Sequence, residues 1–313
     1  MFYTIAQKQL VVSVVLWLCV ATQAFAQRRG HPHIDELVGP VRSLREWDAI
    51  VSRRAGTYSE RGRKLSSSEA HDRARRLLSY TFYSDAGRIL YGDKHTYDLQ
   101  GRLAETRTVH SEFVYLPDLQ IHVYDERGKL IEVKGFNSGG TQLGGHLYRY
   151  DLAGDMIEER NYAIGKNEVY PNTHLVRHVY DANGHETSRE QYVYDDGGIR
   201  PNEFGMGYQK EVFQNDKEGR PVVVRYFKSD NSPVRTKKIK YDRRGNTVDE
   251  IETSFDSRLL RKVSWSYVFD HHGNWIKQTR REWTAESVGS VYGPSEVSYR
   301  SIRYYASPYQ ARR

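Results

Sequence analysis

One six-letter pattern, Tyr-Asp-x-x-Gly followed by a polar residue, recurs along the chain and constrains its folding more than any other feature. It reads YDLQGR from Tyr97, YDERGK from Tyr124, YDLAGD from Tyr150, YDANGH from Tyr180, NDKEGR from Asn215, YDRRGN from Tyr241 and FDHHGN from Phe269. Two worn copies precede these, YSERGR from Tyr58 and YSDAGR from Tyr83. The nine starting positions are separated by 25, 14, 27, 26, 30, 35, 26 and 28 residues. A near-constant period of this length marks a repeat architecture, and it fits two strands and two turns per unit.

Turn chemistry accounts for the fixed letters. The Asp side chain can accept a hydrogen bond from the backbone two residues on, and the next two residues tolerate type I geometry. The glycine supplies the positive φ of a bulge whose twist matches the flanking strands. The structural positions are therefore Asp98 and Gly101, Asp125 and Gly128, Asp151 and Gly154, Asp181 and Gly184, Asp216 and Gly219, Asp242 and Gly245, and Asp270 and Gly273. Strand signals flank them. HLVRHVY, IHVY, KKIKY and SWSYVF precede turns, and KLIEV, DMIEE, NTVDEI and NWIKQ follow them, each alternating as a strand with one largely polar face does. Connectors rich in Gly, Pro, Asn and Asp are expected at the far ends of the hairpins: LPDL (116–119), NSGGTQLGG (137–145), YPNT (170–173), DDGGIRPNEFGMG (195–207) and SDNSP (229–233).

These units resemble the RHS or YD-repeat family, with LYRYDLAGDM at 147–156 the closest match and the resemblance running from about Tyr58 to Arg280. It implies a run of antiparallel β-hairpins, which in large members winds into a hollow shell around a toxic C-terminal segment; the family is also linked to glycan binding. Nine units are few for closing a cavity, and about 40 residues after the last turn leave no room for an enzyme domain.

The N-terminus reads as an address. Lys8 precedes the twelve-residue apolar run LVVSVVLWLCVA (10–21), and Ala24-Phe25-Ala26 is a small-x-small cleavage pattern. The run is shorter than the roughly 20 residues a spanning helix needs, although a retained anchor is the alternative. Cys19 suggests lipidation, but Trp17 and Leu18 stand where that processing wants small residues. Cleavage after Ala26 removes the one cysteine, and with it disulfides, a thiol nucleophile and thiolate metal sites. It also removes Lys8, taking the net charge from +7 to +6. The basic residues are scattered among 40 acids rather than gathered on one stretch, which argues against a nucleic-acid binder. Only 38% of residues are hydrophobic, little material for a thick closed core.

No nucleophile elbow, zinc-protease helix, phosphate loop or dinucleotide glycine pattern is present. Asp195 and Asp196 sit side by side in a glycine-rich connector, where they serve as turn formers. His31 and His33, with Asp35, have a spacing that could hold a metal but lie in a tail. His271 and His272 fill the exposed middle of a turn, and His174 and His178 share a strand face with Val176 and are expected at the surface. The turn aspartates are engaged with their own backbones, so calcium is not expected. Trp265, Trp275 and Trp283 could form an exposed stripe suited to sugar rings or a partner surface.

The expected molecule is all-β, an elongated, twisted antiparallel meander of about nine YD-type hairpins. Its parts are a signal peptide (1–26), a leader and capping strand (27–57) and a repeat domain (58–313). The span 66–83 reads as a loop feeding a strand, and 36–47 as a strand covering the first edge. The expected role is non-enzymatic and without cofactor: an exported binding or scaffolding surface for cell-envelope polysaccharide or protein, in the periplasm or outside the cell. A hydrolase of envelope polymers and a self-associating structural element are the alternatives.

Overall fold

A computed structural model describes residues 37–54, 57–111, 116–164, 169–195, 198–201, 209–284 and 293–306. The leader at 1–26, His31, His33, Asp35, Asp196 and most of the longest connector lie outside the described residues.

The described residues form nineteen strands, in order: β1 (Val41–Arg54), β2 (Thr57–His71), β3 (Leu77–Tyr83), β4 (Ile89–Tyr97), β5 (Leu103–Ser111), β6 (Leu119–Tyr124), β7 (Leu130–Phe136), β8 (Gln142–Tyr150), β9 (Met156–Ile164), β10 (Val169–Tyr180), β11 (Glu186–Asp195), β12 (Gly198–Pro201), β13 (Lys210–Asn215), β14 (Pro221–Phe227), β15 (Pro233–Tyr241), β16 (Thr247–Ser254), β17 (Leu259–Phe269), β18 (Trp275–Thr284) and β19 (Gly293–Tyr304). Consecutive strands pair antiparallel, except that short β12 lies on β11, which also pairs directly with β13. The first strand then meets the last, with Leu44 opposite Ile302 and Trp47 opposite Tyr299. Eighteen strands thus close on themselves.

The elongated open meander is therefore corrected to a closed antiparallel barrel. An open meander leaves two rows of unpaired backbone N–H and C=O groups, and closure removes both. The segment expected to cover one edge covers two, because β1 pairs with β2 on one side and β19 on the other.

The seven clear Asp-x-x-Gly turns join β4–β5, β6–β7, β8–β9, β10–β11, β13–β14, β15–β16 and β17–β18, and strand alternation places them all at one rim. The copy from Tyr83 joins β3 to β4 at the opposite rim, which explains its short spacing to the next copy. The copy from Tyr58 is no turn. It lies within β2, where Gly62 (φ +95°) sits in a register shift against β1. In the span 66–83, read as a loop feeding a strand, the strand is β3, while the expected loop is instead the end of β2 and a turn at Asp72–Arg76. That turn is an eighth member of the rim, and Arg75 stands at the glycine position with φ +68°.

Two expected connectors also change. YPNT lies within β10, and NSGGT closes a tight turn in which Asn137 takes the aspartate's part, its Oδ1 accepting the Thr141 N–H at 2.9 Å.

At the rim, Asp98 shows why the letters are fixed. Its Oδ1 accepts the backbone N–H groups of Gln100 (3.0 Å) and Arg102 (2.8 Å), and its Oδ2 accepts Arg102 Nε at 2.7 Å. Gly101 turns the chain at φ +80°. The same Oδ1 pair of bonds recurs at Asp125, Asp181, Asp216, Asp242 and Asp270. Several neighbouring turns then lock together through a basic residue just after the glycine (Arg102, Lys129, Arg220) or just before it (Arg244). Lys129 Nζ donates to Gly154 O at 3.0 Å, and the guanidinium groups of Arg102, Arg220 and Arg244 lie over the rings of Tyr124, Tyr241 and Phe269 at 4.5, 4.7 and 4.1 Å.

Five repeat tyrosines, together with Tyr267 two residues before the repeat position at Phe269, form a second ladder. The hydroxyls of Tyr97, Tyr124, Tyr150, Tyr180, Tyr241 and Tyr267 donate to the carbonyls of Leu77, Leu103, Leu130, Met156, Pro221 and Thr247, at 2.7 to 3.0 Å. Each hydroxyl reaches back into the preceding hairpin. The apolar packing is equally local: Leu130, Val133, Tyr148 and Met156 cluster on β7–β9, Leu37, Val41 and Leu44 at the seam, and Val224 and Tyr226 on β14.

Candidate functional site

Period-two alternation puts every second side chain of a strand on one face, and the register carries that face around the barrel. On β4 to β11 the buried face holds a row of imidazoles. His95, His122 and His178 each stand two residues before a repeat tyrosine and so share its face, while His146 stands four before Tyr150. Their exposures are 8, 6, 7 and 7%. His178 is thus buried and His174 half-buried, correcting the expectation that both lie at the surface.

Neighbouring strands supply partners. Thr106 lies opposite His95, and its Oγ1 stands 3.1 Å from His95 Nδ1 and 3.5 Å from His122 Nε2. Burial pushes the His122 imidazole down to about 4, and His95 beside it acts in the same direction. Burial also lowers His174. On β10 and β11, His178 Nδ1–H donates to Glu186 Oε1 at 2.7 Å, and Arg189 grips both Glu186 oxygens at 3.0 and 2.8 Å. Burial alone would raise that carboxyl, but these partners hold it at about 2. Glu159 is likewise held below the usual carboxylate range, its burial outweighed by His146, whose Nδ1 lies 3.7 Å away.

Two kinds of chemistry fit this arrangement poorly. Carboxyl groups kept ionised far below neutrality cannot act as general acids at neutral pH. Among the described residues no group of three or more His, Cys, Asp or Glu side chains could hold a metal ion. The row does offer unused hydrogen-bonding capacity. His122 Nδ1, His178 Nε2 and Gln120 Oε1 are buried with no hydrogen-bond partner, whereas His95 Nε2 faces Asp93 Oδ1 at 3.3 Å and His146 Nδ1 faces Glu159 Oε1 at 3.7 Å; unpartnered groups in a folded protein call for an explanation.

The aromatic residues singled out in the sequence do not form a stripe. Trp275 is 7% exposed under the Arg300 guanidinium, 3.5 Å from its ring centre. Trp265 shares the buried face opposite Arg280, and Trp283 lies on the other face opposite Lys262. The turn residues from Asp98 to Gly273 are engaged in the rim. His271 is exposed, whereas His272 stacks on Tyr304 at 4.0 Å between ring centres.

The histidine row went unread in the sequence, although its signal was there: His-x-Tyr before three turns places both side chains on one face. Asn274 was also missed. It follows Gly273, a position that carries Arg102, Lys129 and Arg220 in other turns and Asn246 in one, and it is 2% exposed at the seam. Its side chain accepts the Val38 N–H at 2.6 Å and donates to Val38 O and Tyr304 Oη, both at 2.7 Å.

No family model matches the chain, and no curated protein does. Among solved structures, a porin-like protein from Bacteroides vulgatus aligns with 70% of this chain and 95% of its own at 10% identity, with a TM-score of 0.38. A porin-like protein from Bacteroides uniformis aligns with 85% and 99% at 12% identity, with a TM-score of 0.32. The TcdB2-TccC3 structure aligns with 76% of this chain at 12% identity and a TM-score of 0.31, and the chain spans 16% of its length. All three scores lie below 0.5, where two chains need not share a fold.

Proposed function

We propose that the chain is an exported, non-enzymatic barrel of the YD-repeat type that serves as a binding or scaffolding module of the cell envelope, for polysaccharide or a protein partner. One observation carries this reading. The repeated Tyr, Asp and Gly are engaged in the rim and the hydroxyl ladder, while the buried face keeps polar atoms with unused bonding capacity. Catalysis gains no support from Glu159 and Glu186, whose ionised forms are stabilised by His and Arg.

The other face favours water over lipid. Arg149, Glu158, Arg177, Glu190 and Lys210 lie opposite one another across β8–β13, where a membrane-spanning barrel presents an apolar band. Closure also removes the long free edges on which a self-associating element would rest.

The test is retention of the chain without its leader on insoluble peptidoglycan and on a glycan array, run beside turnover assays on the same polymers. Binding without release of fragments is expected. Steady release of reducing ends would overturn the non-enzymatic reading, and absence of retention on every polymer would leave only a protein partner, to be sought by crosslinking in intact cells.

A further inference from the structure

Strand alternation sorts the charges of β14–β18 by sign as well as by face. On the buried face, Val263 is fully covered and lies opposite Glu250 and Glu282. Acids of that face are held by arginines beside them: Arg235 reaches Glu252 at 2.8 Å, and Arg261 and Arg280 both hold Glu282. The outer face keeps the bases. Arg225, Lys238, Lys240, Lys262 and Arg281 lie there, and Asp249 is the one acid on that face among the described residues of these strands.

The outer residues are also ordered. One row across the five strands reads Val223, Lys238, Ile251, Lys262 and Trp283, each directly opposite the next. Apolar and basic side chains therefore alternate over about 19 Å, four interstrand spacings. The row beside it holds Lys240, Asp249, Ser264 and Arg281, and Arg243 is exposed in the turn that ends β15. Arg225, Lys238 and Lys240 are exposed, and Arg281 Nη1 donates to Ser266 Oγ at 3.3 Å, which holds its guanidinium along the wall. Elsewhere the outer face is neutralised. Across β5–β9, Arg107 stands 3.7 Å from Glu105, Lys134 stands 3.5 Å from Glu132, and Arg160 lies against Glu158.

We propose that the outer wall of β14–β18 is a docking surface for an anionic phospholipid bilayer and lies flat against its headgroups. Charge complementarity chooses the sign of the partner, since five bases against one acid leave this wall with a net charge of +4. The apolar members choose the bilayer. On a nucleic acid, Val223, Ile251 and Trp283 would be pressed against phosphates. At a bilayer they sink between headgroups, while the lysine stems lie along them and the ammonium ends stay in the phosphate layer. The described residues contain no helix or free two-stranded ribbon to enter a duplex groove. The charges that keep this wall out of the hydrocarbon are the ones that hold a protein at the membrane surface. This docking is independent of the binding role given above and uses a different face of the barrel.

The test uses the chain from residue 27, which retains every described residue, and vesicles of phosphatidylethanolamine mixed with either phosphatidylglycerol or phosphatidylcholine. Cosedimentation is expected to be at least about tenfold tighter on the phosphatidylglycerol vesicles. It should fall as salt rises from about 0.1 to 1 M and the screening length shrinks from roughly 10 to 3 Å. Lys238→Gln combined with Lys262→Gln is expected to weaken binding about 25-fold, roughly fivefold for each charge removed. Arg107→Gln combined with Lys134→Gln makes the same change in net charge on the neutralised half, and binding is expected to stay within about twofold. Lipid brominated in its acyl chains is expected to quench Trp283, and Trp283→Phe to remove most of that quench. Circular dichroism checks that each variant folds, and the salt dependence and quench of the unaltered chain decide the matter where one does not. Equal binding to both vesicles, equal losses in the two double variants, or a quench that survives Trp283→Phe overturns the docking surface. A short DNA duplex bound as tightly as the anionic vesicles, with the same loss in the first double variant, would overturn it too, by making nucleic acid the occupant.

Discussion

At the scale of single residues, the rim turns differ from ordinary loops in one backbone angle. Gly184 sits at φ +76°, and an added Cβ would find its nearest neighbour, Asp155 Oδ2, at an ordinary 3.7 Å. Space is therefore available, and a side chain there suffers only the left-handed backbone. Gly184→Val should lower stability by about 1 to 2 kcal/mol, and an unchanged urea midpoint would contradict the turn. Ser257 gives the opposite experiment. It holds φ +66° in an exposed turn, its backbone N–H donating to Ser254 O at 3.0 Å. Ser257→Gly removes the strain but frees the unfolded chain, so the net gain is up to about 1 kcal/mol. A loss of stability would show that Ser257 has a role the backbone does not explain. Arg75 holds the same conformation, but its guanidinium donates to Leu37 O and helps tie the eighth turn to the seam.

At the scale of elements, the sequence showed turns and strands because their causes are local: an Asx acceptor, a positive-φ glycine and period-two alternation. What the strands do to one another was less legible. The recurrence of Tyr150's letter has a cause in its hydroxyl, which reaches Leu130 O at 2.9 Å in the previous hairpin. Tyr150→Phe should cost about 1 kcal/mol by leaving that carbonyl short of a partner. The measurement is a denaturant melt with unchanged slope, and a neutral result would mean that stacking alone fixes the tyrosine. The histidine row escaped notice for a related reason. A lone His before a tyrosine looks like a surface residue, and only the register of β4 to β10 gathers four of them on one buried face. The row of small residues Gly135, Gly144 and Ala163 was equally hidden, because its members stand 9 and 19 residues apart and meet only through pairing.

At the scale of the whole molecule, closure depends on the two ends of the chain finding each other, and no repeat letter announces that. Asn274 helps to hold the seam by bonding both backbone groups of Val38. Asn274→Ala leaves a partly buried N–H and C=O unmatched and should cost about 2 to 3 kcal/mol, with faster exchange of β1 and β19 amides than of β6 and β7. Uniform exchange would show that the seam is no weaker than the rest. The barrel's buried face also sets its response to acid. His122 titrates at about 4 in the fold against 6.5 when unfolded, and His174 is lowered in the same sense. Between these values the unfolded chain binds more protons, so stability is complete above about pH 6.5 and falls as pH drops towards 4. His122 alone accounts for a loss of about 3 kcal/mol. Glu186 acts in a lower window: ionised and paired down to about 2, it contributes stability that is lost only below 4.5. Melting temperature should thus begin to fall below pH 6.5, two units before the carboxylates contribute, and His122→Gln should move that onset downward. A melting temperature flat from pH 7 to 5 would mean that His122 and His174 charge without penalty, and that the face around them is open to water.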